Sequence, residues 1–123
     1  MTDDHPIIAA LPEEARSTFA RLMERAVRSP DAMREQIPHY VTAIERAAAT
    51  GYGPPLSVGK AIAADCEALL DAWDQLDDNG RRLVRGAVEY FLLSRDGDDD
   101  LATPEGLDDD AEVVKAVRSH LGV

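Results

Sequence analysis

The chain reads as a single all-α domain, a bundle of about five helices, and three features of its sequence carry that expectation. Apolar residues recur at i, i+3 and i+4 along most of the 123 residues. The apolar–polar alternation and β-branched enrichment of strands are missing. Gly, Pro, Asn and Asp gather at a few places and divide the pattern into segments of helical length. Hydrophobic residues make up 45% and charged residues 30%, a balance that supports a packed core rather than disorder. One domain of this length buries about two-thirds of its unfolded surface and needs no second domain to be stable.

The first helix is expected from Pro12 to about Arg28. Leu11, Ala15, Phe19, Leu22, Met23 and Ala26 form its apolar face, and Glu13 and Glu14 sit at its positive end. Ser29 followed by Pro30 reads as an N-cap and a first-turn proline, opening a second helix that ends near Thr50 with Gly51 as its C-cap. Ile37, Tyr40, Val41, Ile44 and Ala48 form its buried stripe, and Pro38 is expected to kink or split it. The segment GYGPPLS, Gly51 to Ser57, is a connection. A third helix carries Val58, Ile62, Cys66, Leu69, Trp73 and Leu76 on one stripe, and Asp77, Asp78, Asn79 and Gly80 stop it. The fourth has Leu83, Val84, Ala87, Val88, Phe91 and Leu92 facing inward and Arg81, Arg82 and Arg85 near its start, where they oppose the helix dipole unless acids answer them. The fifth buries Leu107, Ala111, Val114, Val117 and Leu121 and ends near Gly122.

Charge is distributed unevenly. Residues 1–60 carry a net charge of -1 and residues 61–123 carry -10, out of -11 for the whole chain. Nine carboxylates and no Lys or Arg lie between Asp96 and Glu112, in DGDDDLATPEGLDDDAE. A pI near 4.5 disfavours nucleic acid and anionic membrane surfaces as partners and favours basic proteins or cations. Cys66 is the only cysteine, which excludes an intrachain disulfide and fits a reducing cytoplasm. The start, MTDDHPIIAALP, is acidic where a secretory signal is basic, and no run reaches the roughly 18 apolar residues of a membrane span. A cytoplasmic protein is expected.

The run from Tyr90 through Val114, YFLLSRDGDDDLATPEGLDDDAEVV, resembles the core motif of YkvA-type domains, a bacterial family of unknown function. In that resemblance Asp96 and Asp100 match two spaced acids. Gly106 matches a glycine, and Asp109 with Asp110 matches a paired Asp-Asp that opens the last helix. Gly97, Asp98 and Asp99 stand where the family carries prolines and large apolar residues. The likeness covers about 25 of the 123 residues and implies a helical fold and an acidic hinge, without an activity.

Three chemistries fit the acidic segment. Asp96, Asp98 and Asp100 alternate like the start of an EF-hand loop, but Leu101 and Leu107 occupy the positions of its glycine and its bidentate glutamate. A looser Ca²⁺ or Mg²⁺ site would draw oxygens from Asp96, Asp98, Asp100, Asp109 and Asp110. The segment could instead meet a basic protein. Or its acids could be structural, with Asp108 or Asp109 capping the last helix and Asp109 or Asp110 pairing with an arginine of the fourth.

Catalytic constellations are thin. His5, His39 and His120 are scattered, and the paired Glu-x-x-His of di-iron bundles is missing, since Glu35 and His39 are four apart. Cys66 and Trp73 lie on an apolar stripe, where core packing is the simpler role. Arg81, Arg82 and Arg85 with Arg95 could gather an anion, although pairing with the acidic segment is the more economical use. The expectation is a non-catalytic structural or protein-interaction module with no cofactor and an acidic hinge between its last two helices. The alternative is a Ca²⁺- or Mg²⁺-dependent regulatory domain. Oligomeric state has no signature in the sequence.

Overall fold

The computed structural model describes residues 6–24, 29–93, 101 and 103–123. Among these the chain forms five α-helices and no strand: α1 Arg16–Glu24, α2 Pro30–Ala49, α3 Leu56–Asp71, α4 Asp78–Leu93 and α5 Asp108–Leu121. Short 3-10 turns run over Pro6–Ala10, Glu13–Ala15 and Trp73–Gln75. No helix among the described residues is long and apolar enough to cross a membrane.

The sequence makes α4 the hub. Leu83, Val84, Ala87, Val88, Phe91 and Leu92 are all buried, and Gly80, Gly86 and Glu89 are buried beside them, so the occluded surface is wider than one amphipathic stripe. Accordingly α4 packs on α1, α2, α3 and α5, while α2 lies on α3 and α3 on α5. Tyr40 of α2 meets Phe91 of α4 edge to face, with ring centroids 4.8 Å apart. One contiguous apolar cluster links the helices, from Ile7 at the N-terminal end to Val117 in α5.

Two helix pairs approach closely because a glycine lies at each crossing. A methyl added at Gly86 would lie 2.8 Å from Phe19 Cε2 and 3.0 Å from Met23 Cγ, both side chains of α1. At Gly59 of α3 it would lie 2.8 Å from Cγ2 of Ile44 in α2. Real carbon atoms do not come so near, so each glycine is the hole into which a large apolar knob fits.

Helix ends follow local chemistry. The Ser29 hydroxyl accepts from the Ala32 amide at 3.1 Å, and Pro30 begins α2 where its missing N–H is not needed. Gly51 at φ 83° and Gly122 at φ 71° take the left-handed conformation that ends α2 and α5. Pro38 does not split α2, which runs unbroken from Pro30 to Ala49. The proline is exposed, Thr42 donates its hydroxyl to the Pro38 carbonyl at 3.0 Å, and Met33, Ile37, Tyr40 and Ile44 anchor both halves in the core.

Three boundaries differ from expectation. The first helix opens as a 3-10 turn and becomes α-helical at Arg16, and its expected end at Arg28 lies outside the described residues. Ile7, Ile8 and Leu11, ahead of it, are core residues, and their turn packs against α5. The third helix stops at Asp71, and the chain bends through Trp73–Gln75, which leaves Trp73 and Leu76 half-buried. Asp77 then starts the fourth helix rather than stopping the third: its carboxylate accepts from the Gly80 amide at 2.8 Å, an N-terminal cap.

Gly86→Ala should lower stability by about 1–3 kcal/mol by overpacking against Phe19 and Met23, although alanine is the better helix former by about 1 kcal/mol. The urea midpoint measures it; an unchanged or raised midpoint would mean that α1 and α4 are not in close contact there.

Candidate functional site

The connection from α4 to α5 is built outward from its anchors. Leu101 is half-buried against the core, and its carbonyl lies against Gly53 in the α2–α3 connection, where an added methyl would be 2.8 Å away. From Thr103 the chain turns tightly: the Gly106 amide donates to the Thr103 carbonyl at 3.2 Å and the Asp108 amide to the Glu105 carbonyl at 3.0 Å. Leu107 is fully buried and immediately precedes α5. An apolar anchor thus occupies the cap position, and no side chain caps there. Contrary to expectation, neither Asp108 nor Asp109 is the N-cap. Asp108, Asp109 and Asp110 fill the first turn, where negative charge favours the helix dipole.

These acids have different fates. Glu105, Asp108 and Glu112 are exposed, Asp109 is half-buried, and Asp110 is 2% exposed. Asp109 and Asp110 both interact with other groups of the protein. Asp96, Asp98 and Asp100, the other proposed cation ligands, lie outside the described residues. Among the described residues no three His, Cys, Asp or Glu side chains converge as ligands.

Cys66 is fully buried in α3, as its place on the apolar stripe implies. Burial pushes the thiol well above its ordinary range, and the negative charges of Asp65, Asp110 and Glu67 push it further. A thiol held protonated in this way is a poor nucleophile. The effect also places Asp110 of α5 within electrostatic reach of α3.

The arginines at the start of α4 do not pair with the acidic connection among the described residues. Arg82 pairs with Glu24 of α1. Arg81 donates its Nε to the Trp73 carbonyl at 3.0 Å, and the guanidinium carbons of Arg81 and Arg85 each lie 5.5 Å from the Trp73 ring centroid. Trp73 is therefore half-buried: it packs against the core, as its stripe position indicated, and it also meets two cations. Elsewhere Arg34 pairs with Asp71 at 2.9 Å and Arg118 with Asp65 at 2.6 Å. These pairs are partly exposed and contribute little to stability. A wide cleft of about 480 Å³ opens between the Trp73–Gln75 turn, the first turn of α4 and the end of α5, floored by Leu76, Leu83 and Leu121. His120 is at its rim; His39 is exposed on α2 and His5 lies outside the described residues.

No family model, curated protein or solved structure matches the chain. The likeness to YkvA-type domains rests on the residues from Tyr90 to Val114 alone.

Asp110→Ala should cost about 1–3 kcal/mol, because it removes a buried acidic side chain together with the interactions it makes inside the protein, whereas Asp108→Ala should stay within about 0.5 kcal/mol. Equal urea midpoints for the two variants would contradict the anchoring role of Asp110. Cys66 makes a pH-dependent contribution. In the unfolded chain the thiol ionises near its ordinary value of about 8.5, but in the fold it keeps its proton. Above that pH the unfolded state binds fewer protons than the fold, so stability present at neutral pH is lost as pH rises. Urea unfolding from neutral pH into the alkaline range should show a shallower decline in Cys66→Ala than in the parent; parallel declines would show that the thiol ionises equally in both states.

Proposed function

We propose that the chain is a non-catalytic interaction module whose acidic α4–α5 connection meets a basic segment of a partner protein. The observation that supports this best is the division of labour among its acids. Leu101, Leu107 and Asp110 hold the described ends of the connection to the core, while Glu105, Asp108 and Glu112 face solvent on that fixed base. Exposed like charges on a rigid support cost little to keep in place and speed the approach of an oppositely charged surface. Under the same reading the chain is a divergent bacterial, cytoplasmic relative of YkvA-type domains. Support comes from Gly106, which lies in the turn ahead of α5, and from Asp109 and Asp110 in its first turn.

An oligolysine peptide tests the proposal. It should bind, and its affinity should fall by about tenfold or more as salt rises through the range in which the Debye length drops below about 10 Å. Because any acidic protein attracts oligolysine, the decisive comparison is between two neutralised variants. Glu105→Gln, Asp108→Asn and Glu112→Gln together should remove most of the binding. Glu35→Gln, Glu45→Gln and Glu67→Gln, exposed acids of α2 and α3, should remove little. Equal losses would reduce the connection to one part of a diffuse field. The competing assignment is a Ca²⁺ or Mg²⁺ site drawing on Asp96, Asp98, Asp100, Asp109 and Asp110. It requires instead a saturable, cation-selective rise in the Tm of chelator-treated protein at constant ionic strength.

A further inference from the structure

The geometry points to a second site, for a phosphoryl oxyanion, at Trp73, Arg81 and Arg85. A half-buried guanidinium needs a partner more than an exposed one does, and Arg16, Arg21 and Arg46, which pair with no acid among the described residues, are all exposed. Arg34, Arg82 and Arg118 each have one. Among the described residues Arg81 and Arg85 have none, and both are held over one indole ring instead. Arg81 uses its Nε on the Trp73 carbonyl, which leaves its two terminal nitrogens to donate. Arg85 Nε is buried with no acceptor. The cluster therefore holds N–H donors that no acid among the described residues takes up in an ion pair.

A place beside an aromatic ring suits a guanidinium to anion binding. A cation within about 6 Å of a ring centroid is held by the ring's quadrupole, which leaves its N–H groups to other acceptors and reduces the rotamer freedom lost when an oxyanion arrives. Arg81 and Arg85 are four apart on α4, so their side chains leave the helix on one face about one turn apart, roughly 5–6 Å between Cβ atoms. A carboxylate has two oxygens and is satisfied by one fork. A phosphoryl group has three terminal oxygens and nearly two charges, enough to engage both. Exposed Asp74 and Asp78 flank the cluster, as does the capping carboxylate of Asp77. Their field opposes an anion at a distance, so only a ligand that takes up both forks is held. Two sources offer this chemistry: a free phosphate compound and a phosphorylated side chain.

Trp73 is the only tryptophan, so its emission reports on the cluster directly. The full chain is titrated with pyrophosphate, with phosphoserine and with acetate, sodium chloride holding ionic strength constant. A saturable change in emission is expected with at least one phosphoryl compound and not with acetate; which of the two binds more tightly distinguishes the free from the side-chain source. Arg85→Gln should weaken the response by about tenfold or more, and Arg85→Lys, which keeps the charge but loses the fork, should fall between. Unchanged far-ultraviolet circular dichroism and Tm show that the variants are folded, and the ligand-dependent change, not the baseline emission, is compared. A response shared equally by acetate, one that never saturates, or one unaltered in Arg85→Gln and in Arg81→Gln would overturn the site.

Discussion

Everything else in this fold depends on the burial of α4 on four sides. A helix that carries only an apolar stripe can cover one or two neighbours, but Leu83, Val84, Ala87, Val88, Phe91 and Leu92, with Gly80 and Gly86 between them, give α4 a surface that others can enclose. Gly86 sets the distance to α1 by admitting the Phe19 ring, and Phe91 takes the edge of Tyr40 from α2. The dense interior that results leaves little slack, so displacing α4 would disturb every helix that rests on it.

The chemistry of the surface follows from that arrangement. The C-terminal end of α4 leads into the acidic connection, and α5, which the connection enters, packs back on α4 and α3. Leu107 and Asp110 fix the entry, so the exposed acids around them are presented from a stable base. At the other end of α4, the bend at Trp73–Gln75 leaves the indole half-buried at the edge of the core, beside the arginines. One helix thus carries a cationic cluster at its start and an anionic connection at its end. That order is the reverse of what the helix dipole favours. The cost is offset in part by the Trp73 platform and by the Asp77 cap.

Most of the architecture was legible in the residues. Ser29-Pro30, Gly51 and Gly122 mark helix ends through backbone chemistry that acts locally, and six apolar residues of α4 keep the spacing of a buried stripe, although the burial of Gly80, Gly86 and Glu89 beside them does not follow from it. What was not legible depended on tertiary contact. Ile7 and Ile8 form a short run with no period to detect, and they matter only because α5 is there to cover them. The stripe through Val58 and Cys66 continued past Asp71 on paper, because Trp73 and Leu76 keep helical spacing even where the chain bends. Pro38 has the propensity to kink or split a helix, and the packing of Met33, Ile37, Tyr40 and Ile44 on either side of it keeps α2 continuous. Of the candidate cation ligands, Asp109 and Asp110 lie in the first turn of the last helix, as expected; the burial of Asp110 follows from helical spacing, because it shares a face with Leu107, Val113, Val114 and Val117, whereas Asp108 does not. The Trp73–arginine cluster required the bend to exist first.

Native-state hydrogen exchange tests the hub most directly. If α4 holds the bundle together, its central amides, from Leu83 to Phe91, should exchange only through global unfolding, with the free energy and denaturant dependence of the whole chain. Amides of α5 from Ala111 to Val117 should approach the same limit because their helix rests on α4. Exchange of the α4 centre through a smaller opening, at lower free energy than α2 or α3, would show that the bundle survives without it and would contradict the account.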